Sequence, residues 1–504
     1  MAETHISRHV RTLAERLIAM RSVSPDPAGE ALCAEALADA LPAAVEHGMW
    51  PAADGRPIVW ARLAGTHAGA PALILLGHYD TVDVAEFAAF NDATGERVAF
   101  DPGRLRALLI ERAGRGALPE AVLRDVREEI RRPGTWMFGR GALDMKSGLA
   151  AGIAALESLA TRPPSGDVWF VATPDEEHES AGMFAAVERL AALAADGTRF
   201  LGALNLDYGD SPALHCGVRG KMLGGVWIDG VPTHASDPAA GVDAAALAAA
   251  IALRITHDES LAAALEGRPA LLRLRDRKTH YDVQTAAEAE IHVNMMIGET
   301  PPRVVLEAFE RTVALAATHA QAGLAADARA GGTKPAFEIR IQGWTRLPQV
   351  EPAAHEDPHG SDVRERTLLR VRERAMAAGL GAPAVVSFLL PPFYPASLED
   401  RGPLAAAARR VCAAHGIEDR GPYPHISDVS YLRWSDEAAA AAAAIPTFGG
   451  AYRLPVEAMR ALDLDVVNVG PWGHDAHGLY ERVRADYAFD VLPAVIEAIA
   501  REAL

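Results

Sequence analysis

Cysteine is scarce: Cys33, Cys216 and Cys412 are the three in 504 residues. They are odd in number, far apart and outside any CxxC spacing. That excludes a disulfide framework and a thiolate zinc site, and it fits a reducing compartment. Basic residues are outnumbered, 49 Lys and Arg against 67 Asp and Glu, for a formal net charge of −18. A chain of that sign repels polyanions, so no nucleic acid and no anionic membrane surface is expected as a partner. No apolar run is long enough to span a membrane; the alanine stretch Ala438 to Ala444 is too short and too weakly hydrophobic. The first twenty residues interleave charges with apolar residues and lack the apolar centre of a signal peptide. A cytoplasmic protein is expected. Half the residues are hydrophobic, enough for the cores of the several domains that this length implies at roughly 150 residues each.

What is present is an alternation of helix and strand patterns. Residues 6–20 read as an amphipathic helix with Val10, Leu13, Leu17 and Ile18 on one face. Pro25 and Pro27 end it, and residues 30–41 read as a second helix. Residues 58–63, 72–76, 168–172 and 201–206 are strand-like, most of them continuous apolar runs of the kind buried on both faces of a sheet. Residues 147–160 read as a helix, and 84–135 as mostly charged helix inserted between strand-like regions. This is the rhythm of a layered α/β sheet, in which ligands sit off the carboxyl ends of strands. Near residue 213 the texture changes. Strands over 217–231, 289–296 and 336–342 and helices over 241–254 and 301–319 form a β-α-β-α-β block that reads as an inserted domain. A helix over 360–380 follows, and the α/β pattern resumes at 384. The expected domains are 1–212, 213–345 and 346–504, with the middle one attached by two connections near Ser211–Leu214 and Gln342–Leu347.

Five clusters of acids and imidazoles follow the strand-like runs. His78 and Asp80 stand in Gly77-His78-Tyr79-Asp80. In extended chain they share a side, so an imidazole could ligate a metal while the carboxylate orients a neighbour. Asp144 precedes a helix in Gly139-Arg140-Gly141-Ala142-Leu143-Asp144, where alone it would read as a helix cap. Glu176 and Glu177 follow the strand 168–172 in Thr173-Pro174-Asp175-Glu176-Glu177; one could bind metal and the other move protons. Asp207 ends the strand 201–206, and His477 falls in Gly473-His474-Asp475-Ala476-His477, with Glu481 and Arg482 beyond it. Any one could be surface decoration; all five, each off a strand, point to one site. His78, Glu177, Asp207 and His477 can be ligands, and Asp144 can bridge with two oxygens. Nitrogen and oxygen donors without thiolate suit a catalytic pair of divalent ions, zinc foremost, with cobalt or manganese as substitutes.

The order HxD, lone Asp before a helix, Glu-Glu, Asp and late Ala-His resembles the co-catalytic di-zinc metallopeptidases, the family of aminoacylase, acetylornithine deacetylase, succinyl-diaminopimelate desuccinylase and glutamate carboxypeptidase. The resemblance spans His78 to Glu481. Trp136-Met137-Phe138-Gly139-Arg140-Gly141, Ile426-Ser427-Asp428-Val429-Ser430-Tyr431 and Asn468-Val469-Gly470-Pro471-Trp472-Gly473 look like its arginine-utilisation RocB subgroup. It implies an α/β fold, a three-layer zinc-peptidase-like catalytic domain with an inserted α+β lid and dimerisation domain. It implies His78 and Asp207 on one metal, Glu177 and His477 on the other, and Asp144 as the bridge. Asp80 would orient His78, and Glu176 would be the general base. His234, in Val231-Pro232-Thr233-His234-Ala235-Ser236, would polarise the scissile carbonyl from the lid. The implied partner is a small N-acyl amino acid or short peptide, cleaved at an amide bond, with a possible homodimer through the lid. An aminopeptidase of di- or tripeptides and a binding protein without turnover are the alternatives. Relatives that clamp a substrate carboxylate carry an Arg on a lid strand, where this chain offers Asn294. The resemblance also implies a cis peptide bond after Asp144.

Overall fold

A computed structural model of the chain describes residues 5–330, 337–349, 362–398 and 402–504. Ala336, Gly360 and Ser361, where two expected elements begin, lie outside the described residues. The chain divides into two compact units, one of residues 1–218, 397–433 and 455–504, the other of 219–396 and 434–454.

The first unit is built on an eight-stranded sheet. Its order is Glu46–Pro51, Pro57–Leu63, Val168–Thr173, Ala72–His78, Phe200–Asn205, Asp465–Asn468, Ala213–Cys216 and Glu418–Asp419. The four central strands, from Val168–Thr173 to Asp465–Asn468, run parallel. Their near-continuous apolar runs are what burial on both faces requires. Alternate residues point to opposite faces. Leu73, Leu75, Phe170 and Leu204 join one core with the helices His5–Ala19, Lys146–Thr161, Pro403–Ala414 and Leu492–Ala503. The helix Ala181–Ala195 forms the layer on the opposite face and packs on the strands 46–51, 57–63 and 168–173. The second expected helix starts earlier than the reading placed it, at Pro27. Asp26 caps it by accepting the Gly29 N–H, and proline suits the first turn because its missing N–H has no partner there.

The charged segment after Asp83 folds as two 3-10 turns, Ala85–Phe90 and Gly95–Phe100, and two helices, Pro102–Gly114 and Glu120–Arg131. It has its own small core around Phe87, Phe100, Leu105 and Val126. A separate three-stranded sheet joins Gly473–His474, Arg482–Arg484 and Trp136–Phe138. It draws the late His477 loop beside the strand that leads to Asp144.

The second unit is a five-stranded sheet in the order Arg340–Gly343, Ala384–Tyr394, Gly220–Asp229, Glu288–Ile297 and Ala270–Asp276, antiparallel except at the first pair. The helices Ala244–His257 and Pro302–Ala330 pack against each other. The helix Val363–Ala377 places Leu368, Val371 and Ala375 in a core with Trp227, Val386 and Phe388. This corrects the expected domain limits. Residues 346–349, 362–396 and 434–454 belong to the second unit, and 213–218 to the first. The strand Ala384–Tyr394, buried throughout, pairs with Gly220–Asp229, not with the catalytic sheet. A fully buried strand reads the same in either sheet, because its apolar run carries no sign of its partner. The chain therefore passes between the units four times instead of the expected two. No helix among the described residues is long and apolar enough to cross a membrane.

Candidate active site

The parallel strands end together, and their carboxyl ends deliver the site. His78 is the last residue of its strand, Glu176 and Glu177 follow Val168–Thr173, and Asp207 follows Phe200–Asn205. The Leu206 N–H donates to Leu76 O at 2.9 Å, which fixes the chain just before Asp207. Two glycines permit the approach of neighbouring segments. A Cβ on Gly148 would meet Leu206 O at 2.1 Å, and one on Gly470 would meet Asp207 O at 1.9 Å. Gly470→Ala is expected to cost about 1–3 kcal/mol, the range of overpacking in a tight interior. A urea unfolding midpoint equal to wild type would contradict that approach. The peptide bond after Asp144 is cis, as the resemblance implied.

Five residues separated by up to hundreds of positions converge. Asp144 Oδ1 lies 3.0 Å from His78 Nε2, and Asp144 Oδ2 lies 2.9 Å from His477 Nε2. His477 Nε2 is also 2.9 Å from Glu177 Oε1. Ligand atoms of His78, Asp144 and Asp207 lie within 4.8 Å of one another, and so do those of Asp144, Glu177 and His477. The two sets share only Asp144, through opposite oxygens. Glu176 stands with His78 and Glu177 in a third such group.

The cluster gathers more buried carboxylates than imidazoles. Burial raises the carboxyls of Glu176, Glu177 and Asp207 above the usual range, and neighbouring carboxylates add to it. Burial opposes charge on His78, but Glu176, Asp144 and Asp80 outweigh it and hold the imidazole well above its ordinary value. Burial also opposes charge on His477, and Asp144 and Glu177 carry it up to about 11. Asp144 is held low because its two histidines overcome burial. Five carboxylates, Asp80 among them, thus surround two imidazoles. A pair of divalent cations fits this donor set, since each set offers one imidazole, one terminal carboxylate and one oxygen of Asp144.

Asp80 does more than face His78, whose Nδ1 lies 3.4 Å from Asp80 Oδ1. Its two oxygens accept the backbone N–H groups of Glu176 at 3.2 Å and Glu177 at 3.1 Å. One buried carboxylate therefore sets the position of both glutamates. His234 belongs to the second unit, where it is exposed, with Nδ1 2.7 Å from Ser236 Oγ.

Several supporting residues escaped the reading of the sequence. Asp175 adopts φ 69°, a left-handed backbone rare for a non-glycine residue. Its carboxylate accepts from Arg56 Nη1 at 2.6 Å and from the Ala181 N–H at 3.0 Å. Glu30 accepts from Arg56 at 3.0 Å and from the Asp175 N–H at 3.1 Å. Glu481 accepts the N–H groups of Leu143 at 3.0 Å and Asp144 at 3.3 Å, and it pairs with Arg140 at 2.6 Å. Arg140 and Glu481 stood inside the quoted clusters; a charge set among glycines and apolar residues was the available signal. Arg56 and Glu30 had none, because their partner lies 119 and 145 residues away.

Known proteins resemble this chain in sequence and fold. The model of Peptidase family M20/M25/M40 matches residues 117–467. Protein RocB of Bacillus subtilis is 28% identical over 491 residues, covering 88% of this chain and 84% of that protein. The crystal structure of aminopeptidase PepT from Bacillus cereus superposes with a TM-score of 0.56 at 14% identity, covering 99% of this chain and 98% of that one. A Bacillus subtilis protein described as a dinuclear metal-binding peptidase of family M20 does so with a TM-score of 0.51 at 12% identity, covering 98% of each chain. The family match covers well over half of the sequence, and the chain belongs to Peptidase family M20/M25/M40, a family of metal-dependent hydrolases.

Proposed function

We propose that the protein hydrolyses the amide bond of a small N-acyl amino acid or short peptide at a pair of divalent metal ions, zinc in the first instance. The observation that carries this reading is the placement of Asp144, whose two oxygens face two different histidines at 3.0 and 2.9 Å. His78 and Asp207 would hold one ion, Glu177 and His477 the other, and Asp144 both. When bound, the ions supply Lewis acidity to the attacking water and the scissile carbonyl. Glu176 takes the proton of the water and returns it to the leaving nitrogen. Asp80 holds Glu176 and Glu177 in register by their backbone N–H groups. His234 carries the role of polarising the carbonyl, and His234→Ala should lower kcat while leaving metal content unchanged.

The test is a screen of N-acyl amino acids, including arginine and ornithine derivatives, and of dipeptides with free and blocked N-termini. Each is assayed with zinc, cobalt and manganese after chelator treatment. Metal-dependent release of a free amino acid is expected. Cleavage only of peptides with a free N-terminus would make the protein an aminopeptidase, and metal binding without any hydrolysis would make it a binding protein.

We further propose that two copies pair through the strand Ala270–Asp276. It is an edge strand exposed on both faces, with Leu272 60% accessible. Such an edge offers unpaired backbone groups to a second chain.

A further inference from the structure

The charged segment between Ala85 and Arg131 is not needed to complete either ligand set, yet it meets the His477 loop at three points. Arg140, 1% exposed, donates to Glu481 and to His477 O at 3.1 Å, and its remaining partner is Glu86 of the segment. Arg482, also 1% exposed, donates through Nε and Nη2 to Asp125 of the segment at 2.9 and 2.7 Å. Its Nη1 holds Asp475 and Tyr480 O. Leu479 and Tyr480 pack against the segment's own core, and the Tyr480 ring meets Phe90 edge-on at 6.4 Å. The loop needs such support. Asp475 and His477 both have left-handed backbone, φ 58° and 63°, which is uncommon for side-chain-bearing residues.

Two buried arginines thus grip the loop from either side of His477, and the segment supplies one carboxylate to each, Glu86 to Arg140 and Asp125 to Arg482. Resting on the metal pair proposed above, we infer that the 85–131 segment is a brace for His477, and that Glu86 and Asp125 are positioning residues. They set the affinity of the ion position formed by Asp144, Glu177 and His477, and leave the His78–Asp207 position largely alone.

The experiment is zinc competition titration on the full chain, read as two dissociation constants, with thermal unfolding measured alongside. Partners behind a ligand are worth about 10–100-fold in metal affinity. Asp125→Asn is expected to weaken one of the two ions toward the upper end of that range. Glu86→Gln should weaken the same ion by about tenfold, because Arg140 keeps Glu481. The exposed Glu111→Gln in the same segment should match wild type. In a His477→Ala background the Glu86→Gln effect should vanish. Should Asp125→Asn fail to fold, Glu86→Gln, whose side chain is 36% exposed, carries the test. Unchanged constants, equal weakening of both ions in step with a lower melting temperature, or an effect that survives in the His477→Ala background would overturn the inference. A wild-type chain that binds no metal would overturn the proposed function as well.

Discussion

Glu176→Gln should lower kcat by about 10²–10⁴-fold, the usual worth of a positioned acid–base group, with two metal ions still bound. The substitution keeps the shape, exchanges one acceptor oxygen for a donor and removes the ability to take a proton. Glu176 stands outside both ligand sets built on Asp144, so its loss leaves them complete. Burial raises its carboxyl, against the pull of His78, and Asp428, Glu177 and Asp207 add to the rise. The check pairs single-turnover kinetics with metal analysis of the same sample. Wild-type turnover in this variant would place the base elsewhere. Asp175 is a poor substitute, because Arg56 and His178 overcome its burial and pull its carboxyl down to about 2. Glu179 would then be the next residue to change.

Asp144→Asn should empty both metal positions at once. Each oxygen of Asp144 serves a different histidine, and an amide offers one weaker acceptor and one donor in their place. Replacing either His78 or His477 removes a ligand from one set only. Two signatures separate these cases. Metal content after dialysis should fall to near zero in Asp144→Asn and by about half in the histidine variants. Thermal midpoints report the same linkage, since an ion at 100 times its dissociation constant stabilises a folded protein by about 2.7 kcal/mol. Zinc should raise the melting temperature of the wild type and leave that of Asp144→Asn unmoved. Two ions retained by Asp144→Asn would refute the bridge.

The site was legible in the sequence because its chemistry sits immediately after apolar runs. His78, Glu177 and Asp207 each follow a strand within a few residues, so local pattern and function coincide there. Asp144 and His477 reach the same point from loops, and the spacing of the family resemblance placed them. The supports were not legible for the opposite reason. Asp125 and Arg482 meet across 357 residues, and nothing local in the sequence pairs them. The limits of the second unit were missed because the strand 384–394 is buried on both faces and carries no polar alternation to show which sheet it joins.

The strand Asp465–Asn468 lies between Phe200–Asn205 and Ala213–Cys216, in the interior of the sheet. During synthesis its two neighbours emerge long before it does. Until it arrives, the nascent sheet has a gap where that strand belongs, and hydrogen-bonding edges stand open beside an incomplete cluster of acids. His477 follows the strand, 333 residues after Asp144. Of the residues proposed above as ligands, His78, Asp144, Glu177 and Asp207 therefore leave the ribosome well before His477.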